Sequence, residues 1–214
     1  MTIAYFGGCF DPFHNGHLNI AQDLVDHLDI KNLKILPTGR PPHKKRSSIS
    51  HEHRLNMIRI GIGKDLHRIS IEDYEIRSIG ASYSVKTFKH LREKFGSEVS
   101  IIFCIGEDAF ESINTWFNWR ELLNYCHLAV VSRKDFKPNR DEEITDWLKE
   151  KRCENIISLK KRAFGNIYFC NLSQLKISSS EIRKNIKLGK KFDELVPSKI
   201  RRYINEHHLY RDIK

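Results

Sequence analysis

Short runs of β-branched and aromatic residues recur along the chain, and each is long enough for one strand of a sheet. The run at 100–105 is apolar at nearly every position, as expected for a strand that is buried on both faces, so we predict that it lies centrally. Pro37 stops another of these runs, and Gly7 follows the first. The pattern predicts strands at 2–6, 33–36, 69–71, 100–105, 127–131 and 167–171.

The segments between these runs carry apolar residues at the three- and four-residue spacing of a helix. In 17–29, for example, Leu18, Ala21 and Val25 fall on one face. The segment 84–95 is followed by Gly96, a residue that often ends helices. Helices are predicted at 17–29, 51–64, 84–95, 119–125, 144–152, 179–188 and 197–207.

Alternation of strands and helices is typical of βαβ units, whose strands pair in parallel. The predicted fold class is therefore α/β, a Rossmann-like doubly wound parallel sheet with C-terminal helices. Neither an internal repeat nor a linker divides the chain, so we expect a single domain over 1–214, in which 177–214 form a helical C-terminal portion.

Lysine and arginine total 37 against 27 aspartate and glutamate, a net charge of +10. This excess suits nucleic acid, an anionic membrane surface or small polyanionic substrates, but a solvated basic surface explains it equally well. The basic residues are scattered along the chain and form no long tail. Charge alone therefore leaves the class of partner open.

Cysteines and terminal segments bear on the compartment. The five cysteines are odd in number and contain no CxxC pair, so we expect free thiols rather than disulfides or a zinc site. The N-terminus lacks the features of a signal peptide, and no apolar run approaches the roughly 20 residues that span a bilayer. We therefore expect a soluble, cytoplasmic protein.

The densest chemistry of the chain lies at residues 7–17, GGCFDPFHNGH, directly after the first strand. Glycines at a strand's carboxyl end let backbone N–H groups approach phosphate oxygens, and the following helix N-terminus favours an anion. His14 and His17 add directional donors. A metal site built from these histidines and Cys9 is the alternative, but no adjacent cluster of ligands completes it.

The segment GGCFDPFHNGH resembles the GGxFDPxHxGH signature of the nucleotidyltransferases with HxGH motifs. Their second signature, ISSTxIR, is similar to residues 177–183, ISSSEIR. Further stretches resemble the bacterial nicotinate-mononucleotide adenylyltransferases: 36–44, 82–87, 105–108, 115–116 and 131–133. The resemblance extends from Thr2 to Tyr210 and implies transfer of AMP from ATP to nicotinate mononucleotide, with release of pyrophosphate, in NAD biosynthesis.

This resemblance also implies the site residues. His14 and His17 would act on the ATP phosphates as catalytic residues, with a helix that begins near Ser179 completing the ATP site. Mg²⁺ is expected on the triphosphate, with no metal site in the protein. The residues implied for ATP are Gly7, Gly8, His14, His17, Gly106, Asp108, Ser179, Ser180 and Arg183. Those implied for nicotinate mononucleotide are Lys44, Tyr83, Ser84, Trp116 and Arg133.

Each of these residues also has an ordinary structural interpretation. Residues 178–181 alone read as a helix N-cap, Trp116 as a core residue and Lys44 as a solvated charge. Two positions depart from the family pattern: Cys9 replaces a hydroxyl residue, and Phe117 stands where tyrosine is common.

Two rival functions remain on the sequence alone. A basic nucleic-acid-binding protein would explain the charge but leaves both phosphate motifs without a purpose. An adenylyltransferase for another phosphate, such as phosphopantetheine, would not account for 82–84 and 115–116. We expect ATP and nicotinate mononucleotide as partners, and neither a nucleic acid nor a membrane; the oligomeric state, a homo-oligomer included, stays open.

Overall fold

A computed structural model describes residues 1–40, 49–63, 67–132, 141–172 and 175–211. Within these residues one parallel sheet has the strand order β3-β2-β1-β4-β5-β6. The predicted α/β class is confirmed, and the run at 100–105 lies inside the sheet, paired on both sides. The strands are β1 Thr2–Gly8, β2 Leu33–Pro37, β3 Ile69–Ile71, β4 Ser100–Gly106, β5 His127–Val131 and β6 Ile167–Cys170.

The helices follow the predicted alternation, with shifted ends and several additions. The helix predicted at 17–29 begins two residues earlier, at Asn15, because the His14 side chain caps it. The segment predicted as a helix at 119–125 is a 3₁₀ helix, Trp119–Asn124, and a further 3₁₀ turn covers Ile113–Thr115. The α-helices are α1 Asn15–His27, α2 His51–Ile62, α3 Tyr74–Arg77, α4 Ser84–Phe95, α5 Glu107–Glu111, α6 Glu142–Lys151, α7 Ile157–Lys161, α8 Ser179–Lys187 and α9 Ser198–Glu206.

The two faces of the sheet are covered by different parts of the chain. Along β1, Ala4 and Phe6 join a core that includes residues of α1, α2, α8 and α9. The intervening Ile3 and Tyr5 join a second core with residues of α4, α5 and α6. Alternation along one strand thus places the C-terminal helices on the same face as α1, which is what brings them near the glycine–histidine loop.

Strand order reverses between β1 and β4, since β2 and β3 lie on one side of β1 and the later strands on the other. In such sheets the loops that leave the two inner strands diverge, which opens a crevice at their carboxyl ends. Gly8 ends β1 and Gly106 ends β4 at this edge. The described helices include none long and apolar enough to cross a membrane.

His127, at the start of β5, is a buried histidine that ties the sheet to the loop before β6. Its Nε2 donates to the Arg162 carbonyl at 3.0 Å, and its Nδ1 accepts from the Asn166 N–H at 3.1 Å. Both bonds require the neutral ring with its proton on Nε2. Burial lowers the pKa of His127 to about 4.

We therefore expect acid to destabilise the fold through His127. The unfolded chain binds a proton near the ordinary histidine pKa, whereas the folded chain resists it, so the stabilisation is complete above that pKa and is lost as pH falls through about 4. Between pH 7 and pH 4 the loss should approach roughly 3 kcal/mol. Urea unfolding of wild type and His127→Gln at both pH values measures it; an equal pH dependence in the two proteins would contradict this origin.

Candidate active site

The glycine loop at the end of β1 has no room for side chains. A Cβ on Gly7 would overlap the ring of Phe103, and one on Gly8 would lie 2.8 Å from Phe10 Cζ. Phe10 itself has φ 52°, in the left-handed region. The glycines are therefore required by close packing, and the chain backbone itself forms the surface of the crevice at this point.

The two histidines of the loop are stacked on each other. His14 Nδ1 accepts from the His17 backbone N–H at 3.2 Å, and the two ring centroids lie 3.6 Å apart. In a neutral His14 this contact places the proton on Nε2. The His17 ring also packs against Phe10 and Phe13, at centroid distances of 4.9 and 5.6 Å. Helix capping and aromatic packing thus hold both imidazoles in fixed orientations.

The second motif lies directly against the first. Arg183, one turn into α8, donates from Nη1 to the Asp11 carbonyl at 2.6 Å and from Nη2 to Ser180 Oγ at 3.2 Å. Ser179 Oγ donates to the Pro12 carbonyl at 3.1 Å. The two sequence motifs, at residues 7–17 and 177–183, therefore lie next to each other in the fold. The N-termini of helices α1 and α8 therefore lie beside the same turn, which contains Asp11 and Pro12.

The N-terminus of α8 is capped by Ser178, whose Oγ accepts from the Glu181 N–H at 3.2 Å. The N-cap expected from residues 178–181 is thus present. Ser179 and Ser180 follow it as the first helical residues, where backbone N–H groups lack partners within the helix. Such N–H groups and the helix dipole favour an anion.

A cavity of about 120 Å³ opens on the other side of the glycines. Tyr83, Ser84 and Trp116, three residues implied for the mononucleotide, line it together with Gly7 and Gly8. Phe117 lies at 4.9 Å from Tyr83 between ring centroids and is half exposed. The cavity is thus lined by aromatic side chains, which pack favourably against a planar ring.

The wall of this cavity contains a buried carboxyl group that the sequence analysis missed. Glu75 accepts from Thr87 Oγ1 at 2.9 Å and from the Gly39 N–H at 3.3 Å, and burial raises its pKa. Fully buried Arg54 donates from Nη1 to the Cys9 carbonyl at 2.8 Å. Neither residue belongs to a recognisable motif, and only their place in the fold links them to the loop.

Gly106 and Asp108 lie at the carboxyl end of β4, as the family pattern implies. A Cβ on Gly106 would be 2.6 Å from Asp108 Oδ1, so the carboxylate lies over the glycine backbone in the first turn of α5. Asp108 is exposed. The Asp108 carboxylate is thus accessible to solvent at the carboxyl end of β4.

Two implied residues, Lys44 and Arg133, lie outside the described residues. Cys9 is half-buried and lines the cavity beside Gly8. Trp119, in contrast to Trp116, is buried in the core. In the part of the chain that the structure describes, no group of three or more histidine, cysteine, aspartate or glutamate side chains could hold a metal ion.

The parallel sheet with its two phosphate-type motifs at one edge defines a class of protein. Residues 5–185 match the family described as cytidylyltransferase-like. A relative from Marinomonas sp. (strain MWYL1), named nicotinate-nucleotide adenylyltransferase, is 35% identical, with 98% of this chain and 94% of the relative covered. One from Hahella chejuensis with the same name is 36% identical, with 97% and 95% covered. The chain belongs to the cytidylyltransferase-like family, in the group of the nicotinate-nucleotide adenylyltransferases.

Solved structures share the fold. The nicotinic acid mononucleotide adenylyltransferase of Plasmodium falciparum, complexed with NaAD, superposes with a TM-score of 0.75 at 21% identity. The match covers 98% of this chain and 97% of that one. A second structure of that enzyme, complexed with APC, gives a TM-score of 0.68 at 23% identity over 98% and 96% of the two chains. At this level of sequence identity, the likeness shows that the fold is shared over the whole length of the chain.

Proposed function

We propose that this chain transfers AMP from ATP to nicotinate mononucleotide, which yields deamido-NAD and pyrophosphate in NAD biosynthesis. One observation carries the proposal: the Arg183 guanidinium donates to the Asp11 carbonyl at 2.6 Å, so the two phosphate motifs form one surface. The aromatic cavity begins at the same glycines. A triphosphate and a pyridine nucleotide can therefore meet above the carboxyl end of β1.

The reaction needs no nucleophile from the protein. A 5′-phosphate oxygen of the mononucleotide attacks the α-phosphorus of ATP, the bond from that phosphorus to the bridging oxygen breaks, and pyrophosphate leaves with the electron pair. The mononucleotide phosphate is already anionic near neutral pH. Catalysis then consists of aligning two anions that repel each other and of stabilising the charge that develops between them.

The described residues divide this work between two sides of the glycine loop. His14 and His17 donate to the phosphates at the reacting centre, with His17 closest to the transition-state charge. Ser179 and Ser180 offer the N–H groups of the first turn of α8, and Arg183 adds a fixed cation. Gly106 and Asp108 lie where the adenosine ribose would be held, its hydroxyls donating to the carboxylate.

On the other side, Trp116 stacks on the pyridine ring, and Tyr83 and Ser84 bring backbone N–H groups to its carboxylate. By family resemblance Lys44 and Arg133 hold the mononucleotide phosphate. Mg²⁺ enters with ATP, because triphosphate oxygens and water supply the octahedral ligands that it prefers. When bound, it neutralises part of the triphosphate charge. We place the reaction in the cytoplasm, where the cysteines stay reduced.

We expect a strong preference for the acid form of the mononucleotide. Its carboxylate accepts charge-assisted hydrogen bonds from N–H groups, whereas an amide brings an NH₂ donor to the same place. The value of kcat/KM for nicotinate mononucleotide should exceed that for nicotinamide mononucleotide by at least about tenfold. Pyrophosphate release with ATP, Mg²⁺ and each mononucleotide measures this ratio.

The same assay tests the function itself. If no pyrophosphate is released with either mononucleotide, the proposed reaction is overturned. Equal use of both mononucleotides would overturn the specificity alone. Phosphopantetheine as third substrate tests the nearest alternative enzyme. Salt-sensitive binding to polynucleotides, without any pyrophosphate release, would favour the nucleic-acid hypothesis instead.

A further inference from the structure

The chain returns to the glycine–histidine loop after its last helix. Beyond α9, Leu209 packs into the core, and the Tyr210 hydroxyl donates to Asp11 Oδ1 at 2.7 Å. Tyr210 and Asp11 are 199 positions apart in the sequence. Asp11 is buried, with 4% of its surface exposed, and lies between the glycines and His14. The C-terminal segment therefore contacts the centre of the loop directly.

We propose that Tyr210 is a positioning residue for adenylyl transfer, which holds the Asp11 carboxylate away from Arg183 so that the guanidinium keeps its charge for the triphosphate. The inference rests on the proposed function. It assigns no contact between Tyr210 and a substrate: Tyr210 acts through Asp11 and Arg183.

The partners of Arg183 support this role. Within the described part of the chain its guanidinium donates to two neutral oxygens, the Asp11 carbonyl at 2.6 Å and Ser180 Oγ at 3.2 Å. The carboxylate of the same Asp11 is a competitor for that cation, because the Asp11 backbone carbonyl is already in contact with the guanidinium. An Arg183–carboxylate ion pair would have to be broken, or its charge shared, each time ATP bound.

A tyrosine hydroxyl suits this task because it donates a hydrogen bond without adding a positive charge. Burial raises the pKa of Tyr210 far above its ordinary value, and the charge and hydrogen bond of Asp11 raise it further. The hydroxyl therefore stays protonated and remains a donor at every pH at which an enzyme of this kind works. A lysine at this position would neutralise Asp11 but place a second cation beside Arg183.

Tyr210→Phe removes the hydroxyl and keeps the ring. We expect the Kd of Mg-ATP, measured by calorimetry, and the KM for ATP to rise about tenfold, because Asp11 then turns toward Arg183. The KM for the mononucleotide should stay unchanged. In the double variant Asp11→Asn with Tyr210→Phe, the neutral amide no longer competes for the guanidinium, so ATP binding should recover most of this loss.

Tyr203→Phe is the matched control. Tyr203 lies on α9, and its hydroxyl contacts His53 Nδ1 at 2.9 Å and Asn56 Nδ2 at 3.1 Å, away from the loop. The variant should lower the urea midpoint while leaving both KM values unchanged. Equal ATP affinity in the two single variants, or no rescue by Asp11→Asn, would overturn the role of Tyr210. Wild type that binds ATP but releases no pyrophosphate would overturn the proposed function and leave the calorimetric test of Tyr210 standing.

Discussion

Replacement of His17 by alanine is expected to lower kcat by about 10²–10³-fold while the fold stays intact. Loss of one donor aimed at transition-state charge costs about this much in other enzymes. The imidazole of His17 is fixed by the stacked His14 ring and by Phe10, so its contribution depends on orientation as well as on chemistry. Single-turnover measurement of AMP transfer at saturating ATP isolates the chemical step.

His27→Ala provides the control on the same helix. His27 lies in the last turn of α1, where its Nε2 contacts the Tyr168 hydroxyl at 3.1 Å, far along the helix from the loop. The variant should keep kcat and lose only a little stability. If both histidine variants lowered kcat alike, or if His17→Ala kept full activity, the catalytic role of His17 would be wrong.

Replacement of Arg183 by alanine is expected to lower kcat/KM for ATP by about 10²-fold. The guanidinium donates to the Asp11 carbonyl, and in the proposed reaction it is also a cation for the triphosphate; charge-assisted bonds are among the strongest in proteins. Arg183→Lys should recover little, since an ammonium cannot reach two oxygens in the planar geometry of a guanidinium. Steady-state kinetics with varied ATP gives the ratio.

Lys184→Ala separates the position of the charge from its presence. Lys184 is the next residue on α8 and is exposed. Lys184→Ala changes the net charge of the protein by the same amount as Arg183→Ala. We nevertheless expect kcat/KM for ATP to fall by less than about twofold in Lys184→Ala, since exposed charges are screened. A loss in Lys184→Ala equal to that in Arg183→Ala would assign the effect to the general basic field and contradict a specific role for Arg183.

The local pattern of the sequence is sufficient for much of this fold. β-branched runs predict all six strands of the described sheet, because a buried strand needs apolar residues wherever it packs. Helix ends are less well predicted. His14 is not among the usual capping residues, so the extension of α1 to Asn15 depends on one histidine nitrogen that the pattern does not reveal. The hydrophobic spacing likewise does not predict that Trp119–Asn124 forms a 3₁₀ helix rather than an α-helix.

The residues of the candidate site likewise divide into those that the sequence predicts and those that it does not. Its motif residues are recognisable because phosphate chemistry demands glycine, histidine, serine and arginine at close spacing along the chain. Glu75 and Arg54 belong to no such motif, although both touch backbone beside the cavity. A single buried charge looks like any surface charge until its neighbours are known.

The sequence by itself determined the class of fold, the two motifs and the residue types that we propose to act on phosphates, since each of these depends on neighbours close along the chain. Only the tertiary structure decided that the motifs meet, that α8 and α9 cover the same face of the sheet as α1, and that Tyr210 reaches Asp11. Such contacts join residues far apart in the chain, and they arise from strand order and helix packing, which hydrophobic periodicity leaves undetermined.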